Sequence, residues 1–124
     1  MKLTNAEEQL MEIIWQQDKV FLKDILAAYP DPKPAGTTIA TLLKRMQDKG
    51  FVAYHLFGNS RQYYPLVKKS AYFSKEVNGI VKNYFNNSAL QFASFFTKSG
   101  NLSAGELEDL KNIIDEEIKR REGK

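Results

Sequence analysis

The sequence predicts a mainly α fold with a small β-hairpin, divided into a head and a helical tail. Three observations predict it. Apolar residues recur at helical spacing in three segments before residue 50. Two runs rich in β-branched and aromatic residues, Phe51–Phe57 and Gln62–Val67, then flank Gly-Asn-Ser-Arg, as a hairpin with a short glycine-containing loop requires. From Ser70 the helical period returns, with more exposed Phe, Tyr and Ile than a small head needs.

Each element has a local cause. Thr4 and Glu7 form a T-x-x-E capping box with Leu3 as its hydrophobic staple, and Leu10, Ile13 and Ile14 carry a first helix over 5–17. A short second helix covers 21–29 through Leu22, Ile25, Leu26 and Tyr29. Val20 and Phe21 offer it no side-chain cap, so packing must hold it. Pro30, Pro32 and Pro34 forbid a helix through 29–36 and make it an extended loop. A third helix starts at Thr37 or Thr38, either of which can cap it, and stops at Lys49-Gly50. Three helices and a hairpin, in that order, describe a winged helix-turn-helix head over residues 1–69.

Tyr72, Val77, Ile80, Val81, Tyr84 and Phe85 then predict a fourth helix, which Asn86-Asn87-Ser88 breaks. Ser88 caps a fifth through Leu90, Phe92, Phe95 and Phe96. Ser103 and Glu106 box the start of a sixth carrying Leu107, Leu110, Ile113, Ile114 and Ile118. Acidic residues lead this last helix and Lys119, Arg120 and Arg121 close it, matching the helix dipole. These helices expose too much apolar surface to stand alone, so residues 70–124 read as a helical dimerisation domain. Its expected contacts are Ile80, Val81, Tyr84, Phe85, Phe92, Phe95, Leu107, Leu110, Ile114 and Ile118.

The third helix has two opposed faces. Ile39, Leu42, Leu43 and Met46 line one. Thr37, Thr38, Thr41, Lys44, Arg45 and Asp48 line the other, offering hydroxyls, methyls and cations that suit base edges and phosphates in a major groove. Charge supports this placement. Over residues 33–69 seven cations stand against one carboxylate, whereas residues 1–32 hold three against six. Arg61 in the hairpin tip is the expected phosphate contact of the wing.

Other chemistries find little support. The chain has no cysteine, which excludes disulfides, thiolate nucleophiles and thiolate metal sites. The single histidine, His55, lies in a strand among aromatic residues and has no catalytic partner by sequence. No phosphate-binding glycine loop, H-E-x-x-H or G-x-S-x-G occurs. Asp115-Glu116-Glu117 reads as a solvated helix face rather than a metal site. The expectation is a protein that is not an enzyme, with no metal and no cofactor. The N-terminus lacks an apolar signal core, and no run approaches the roughly 18 apolar residues that insertion in a bilayer needs. A cytoplasmic location is expected.

Four stretches in order carry a resemblance. They are Leu3-Thr4-x-Ala6-Glu7 with Met11, Ile14 and Trp15; Thr38-Ile39-x-Thr41-Leu42-Leu43-x-Arg45-Met46 with Lys49-Gly50-Phe51; Tyr63-Tyr64-Pro65-Leu66-Val67; and Asn101-Leu102-Ser103-x-x-Glu106-Leu107-Glu108-x-Leu110. The chain resembles the BlaI/MecI/CopY family of penicillinase-type winged-helix transcriptional regulators over nearly its whole length. The resemblance implies a sequence-specific repressor that binds double-stranded operator DNA as a homodimer, on palindromes with half-sites like TACA/TGTA. It places Thr38, Thr41 and Arg45 on the recognition helix. This sequence departs from better-known members with Ala40 in place of an arginine and Thr37 in place of a lysine. Readout therefore leans on Thr38, Thr41, Arg45 and the wing.

Resistance-linked members are cleaved in the dimerisation module through a membrane sensor/protease system. The corresponding regulatory cleavage region is Phe95-Phe96 here, without the Asn-Phe pair of those relatives. Copper sensing through C-terminal cysteines, known in other members, is excluded. A different class of function, a protein-interaction adaptor that keeps the winged-helix scaffold without specific DNA binding, predicts no shift of any duplex in a gel.

Overall fold

The capping box at Thr4 forms as the sequence predicts. The Glu7 N–H donates to Thr4 Oγ1 (3.2 Å) and Glu7 Oε1 accepts from the Thr4 N–H (2.9 Å). In this computed structural model, which describes residues 2–123, the box opens α1 (Asn5–Gln17). Leu3, Leu10, Met11 and Ile14 are buried along one side of that helix. α1 ends in a γ-turn at Asp18 (φ 70°, ψ −55°), closed by the Lys19 N–H on the Gln17 carbonyl (2.8 Å).

That tight turn feeds a strand that the sequence does not announce. β1 (Val20–Phe21) pairs antiparallel with β3 (Ser60–Pro65), in register Val20↔Tyr63 and Phe21↔Gln62. The expected two-stranded hairpin is thus the larger part of a three-stranded sheet, order β1-β3-β2, with β2 spanning Val52–Phe57. Two residues are too few for any periodicity to show, and only pairing defines them. The turn between β2 and β3 is also shorter than expected. Gly58 and Asn59 alone make it, Gly58 at φ 61°, the positive value that two-residue hairpin turns need.

α2 (Leu22–Ala28) lacks a capping side chain at Phe21, as expected. Asp24 compensates from inside the helix, its Oδ2 accepting from the Phe21 N–H (3.1 Å). Lys33 closes the other end by donating to the Ala27 (3.0 Å) and Tyr29 (2.6 Å) carbonyls. α3 (Gly36–Asp48) starts earlier than the threonines suggest. Its N-cap is Ala35, which makes no side-chain cap bond, so neither Thr37 nor Thr38 is the cap. The backbone is extended at Ala35 and turns helical at Gly36, which places both threonines inside the first turn, facing out. Gly50 ends the helix at φ 80°, a conformation that costs glycine nothing.

One core joins these pieces. Leu10, Met11 and Ile14 of α1, Ile25 of α2, Ile39, Leu43 and Met46 of α3, and Val20 and Val52 of the sheet are all but inaccessible to solvent. The first turns of α4 (Lys69–Tyr84) belong to the same body. Trp15 Nε1–H donates to the Val67 carbonyl (2.8 Å) just before α4, and Lys69 Nζ lies 2.6 Å from Glu12 Oε1. Tyr72 is 4% exposed; its ring stands edge-on to Phe51 (5.8 Å) and Phe73 (5.0 Å) and tilted to Trp15 (5.9 Å). The chain accordingly divides into compact units between Val77 and Asn78, not at the expected 69/70. A tyrosine buried against α1 carries the head eight residues further.

The second unit contains the end of α4, α5 (Ala89–Ser99) and α6 (Ala104–Glu122). Asn86 and Asn87 both adopt positive φ (54° and 57°) and turn the chain after α4. Ser88 caps α5 by accepting from the Gln91 N–H (3.1 Å). Ser103 and Glu106 box α6 as predicted, with bonds of 3.1 and 2.9 Å. Phe85 packs against Phe92 (5.4 Å) and Phe95 (5.3 Å). Among the described residues, none of α5 or α6 is fully buried.

Candidate nucleic-acid interface

The interface is assembled on α3. Its apolar side, Ile39, Leu42, Leu43 and Met46, is buried in the core, and this fixes the rotation of the helix about its own axis. A turn of 3.6 residues then sends Thr37, Thr38, Thr41, Lys44 and Arg45 to solvent, together with Ala40 and Asp48. Because α3 starts at Ala35-Gly36, the hydroxyls of Thr37 and Thr38 are not consumed by capping. Thr41 differs. Its Oγ1 donates back to the Thr37 carbonyl (3.0 Å), leaving the γ-methyl and the acceptor lone pairs for a ligand.

The cations of α3 are not equivalent. Lys44 pairs with Asp48 one turn on (3.1 Å), with both side chains well exposed, so water screens the pair and a phosphate can replace the carboxylate. Arg45 sits on the flank nearer α1. Its side chain is 53% exposed, and Nη1 approaches Glu7 Oε2 at 4.0 Å. Lys49, one turn further, donates to both Glu7 oxygens at 2.9 Å. Glu7 itself is fully buried. Burial alone raises a carboxyl pKa, but the Thr4 amide and the Lys49 ammonium outweigh it and hold Glu7 below its ordinary range.

The wing places its cation differently from the sequence expectation. Arg61 is in β3 opposite Leu56, not in the turn itself. Its guanidinium carbon lies 4.4 Å from the centre of the Tyr54 ring, a cation–π arrangement that steadies the side chain. On the other face of the hairpin His55 stacks on Tyr64 (4.8 Å, 19° between planes), a packing role. Beside the wing lies a groove of about 540 Å³ lined by Phe21, Leu22, Lys23, Phe57, Asn59, Ser60, Arg61 and Tyr63. Lys23 shares this groove with Arg61, a placement that sequence reasoning misses. The pairing of β1 with β3 brings the start of α2 to the wing, and that strand has no sequence signal.

The structure thus gathers Thr37, Thr38, Thr41, Lys44 and Arg45 on one exposed face, with Arg61 on the adjoining hairpin. A family profile described as penicillinase repressor matches residues 3–116. The chain belongs to the penicillinase repressor family. It is 30% identical over 119 residues to the methicillin resistance regulatory protein MecI of Staphylococcus aureus (strain N315), spanning 92% of this chain and 94% of MecI. The penicillinase repressor of Bacillus licheniformis is 22% identical over 121 residues, covering 97% of this chain and 94% of the relative. Among solved structures, a cysteine-to-serine mutant of E. coli MarR shares the fold at a TM-score of 0.51 and 14% identity, over 94% of this chain and 79% of that one. The solution structure of the monomeric form of Bacillus licheniformis BlaI in complex with the blaP half-operator aligns at a TM-score of 0.49 and 25% identity, over 58% of this chain and 89% of that one. Members of the penicillinase repressor family are DNA-binding transcriptional repressors, not enzymes.

In this family member the residues expected to dimerise are distributed unevenly. Tyr84 (79% exposed), Phe95, Ile114, Ile118 and Ile80 are the more open, and Leu107 sits at the edge of exposure. Val81, Phe85, Phe92 and Leu110 are half-buried within their unit. Phe95 and Phe96, the candidate cleavage region, both lie inside α5, where main-chain hydrogen bonds hold the peptide. Among the described residues no helix is long and apolar enough to cross a membrane.

Proposed function

We propose that the protein represses transcription as a homodimer bound to a palindromic operator in the cytoplasm. Each protomer would place α3 in a major groove and its wing beside the backbone of the same half-site. The observation that carries the reading is the composition of the exposed α3 face in a penicillinase repressor family member. Three threonines and two cations stand opposite a fully buried apolar stripe. Thr38 and Thr41 supply methyl and hydroxyl contacts to base edges, Arg45 a forked donor for guanine or phosphate, and Lys44 and Arg61 phosphate charge. Dimerisation is supported by the open Ile80, Tyr84, Phe95, Ile114 and Ile118, five large apolar side chains left in water within one small helical unit.

Selection of bound sites from a random duplex pool tests specificity, and light scattering tests the dimer. Lys23, Lys44 and Arg61 on two protomers would make about six phosphate contacts. The log of affinity should then fall with the log of salt at a slope of about −5. The palindrome should be recovered, and Ile114→Glu should yield monomers that bind it at least tenfold more weakly. Equal affinity for selected and scrambled duplexes sinks the proposal.

A further inference from the structure

Among the described residues Glu7 is the one fully buried charged residue in the core. Its carboxylate lies between two segments. On one side Oε1 accepts from the Thr4 N–H (2.9 Å) and so belongs to the capping box of α1. On the other, Lys49 Nζ contacts both oxygens at 2.9 Å, and Arg45 Nη1 stands 4.0 Å from Oε2. Arg45 and Lys49 are four residues apart and share the flank of α3 that faces α1. A buried carboxylate with that geometry resists any rotation of α3, because turning the helix would leave it charged and unpaired.

We propose that Glu7 is a positioning residue for DNA readout: held in place by the Lys49 bridge, it acts through Arg45, setting where that guanidinium meets the operator. The proposal rests on the reading of α3 as the DNA-contacting helix. The two cations divide the work. Lys49 takes the close, bidentate place and largely neutralises Glu7. Arg45, at longer range and half in solvent, is oriented without being captured. Glu7 therefore acts on specificity as well as on folding. Removing Lys49 leaves Arg45 as the remaining near cation, and Glu7 then draws the guanidinium inward, away from DNA.

The test is a double-mutant cycle on the full chain, read as affinity for the selected palindrome and for palindromes altered one base at a time. It is run where thermal melts show every variant folded. Glu7→Gln should reduce discrimination at one base position about tenfold, and that position should be the one relaxed by Arg45→Ala. In the Arg45→Ala background Glu7→Gln should change affinity less than twofold. Lys49→Gln, which keeps Glu7, should weaken binding through Arg45 in the same non-additive way. Equal losses from Glu7→Gln with and without Arg45 overturn the positioning role, leaving Glu7 as part of the scaffold only. A wild type that does not discriminate among duplexes overturns the function itself, so the two failures are distinguishable.

Discussion

Replacing Tyr72 by Phe removes a single oxygen and tests whether the start of α4 is structurally part of the head. That oxygen accepts from the buried Leu3 N–H (3.0 Å) and donates to Glu8 Oε2 (2.9 Å). The ring contacts with Trp15, Phe51 and Phe73 survive the substitution, so no cavity term arises. What remains is a buried amide left without an acceptor, which costs about 1–3 kcal/mol. Glu8 is partly accessible and rehydrates, which keeps its share small. A loss of about 2 kcal/mol is expected, equivalent to a fall of about 10 °C in the melting temperature of a unit this size. Trp15 is the sole tryptophan and lies 5.9 Å from Tyr72, so its fluorescence in a urea titration reports on the altered site. Burial also raises the Tyr72 phenol above its ordinary pKa of 10.0. The stability it contributes is present below that value and lost as pH rises through the folded pKa; the Phe variant should lack this alkaline loss. A change below about 0.5 kcal/mol would refute the assignment of α4's first turns to the head.

The boundary itself predicts the behaviour of fragments. A chain ending at residue 77 should retain the cooperative unfolding of the head, whereas one ending at 69 lacks Tyr72 and should lose several kcal/mol, about the cost of deleting a core aromatic; urea midpoints compare them. Glu7 predicts the acid limb. Its folded pKa is lowered, so its contribution is present above the ordinary value of 4.5 and lost as pH falls through the folded one. Urea midpoints of wild type should drop on acidification through that range, and those of Glu7→Gln should drop less. At Thr41 the hydroxyl proton is engaged with the Thr37 carbonyl, which leaves the oxygen only as an acceptor, and the methyl is the expected contact to a base. Thr41→Val should bind the selected duplex within twofold of wild type, and Thr41→Ser about fourfold more weakly, the worth of one buried methyl. The reverse order in a fluorescence anisotropy titration would show that the hydroxyl carries the contact.

Much of this protein is written locally. Both Ser/Thr–Glu capping boxes, the apolar stripe of α3 and its stop at Lys49-Gly50 need only neighbours a few residues away, and each forms as the sequence alone requires. The alternation of buried and exposed positions on α3 also determines which side chains could meet DNA, because a helical period fixes both faces at once. Other features depend on partners distant in the chain. β1 is two residues long and exists only because β3 lies beside it. The first residue of α3 is set by where the backbone leaves the proline loop, not by the threonines that could have capped it. Tyr72 belongs to the head because Leu3 and Glu8, more than sixty residues away, supply its hydrogen bonds. Glu7 looks in sequence like the second half of a capping box and nothing more. Only the packing of α1 on α3 makes it the buried partner of Lys49 and Arg45, since a burial-driven ion pair has no periodicity and leaves no trace in composition.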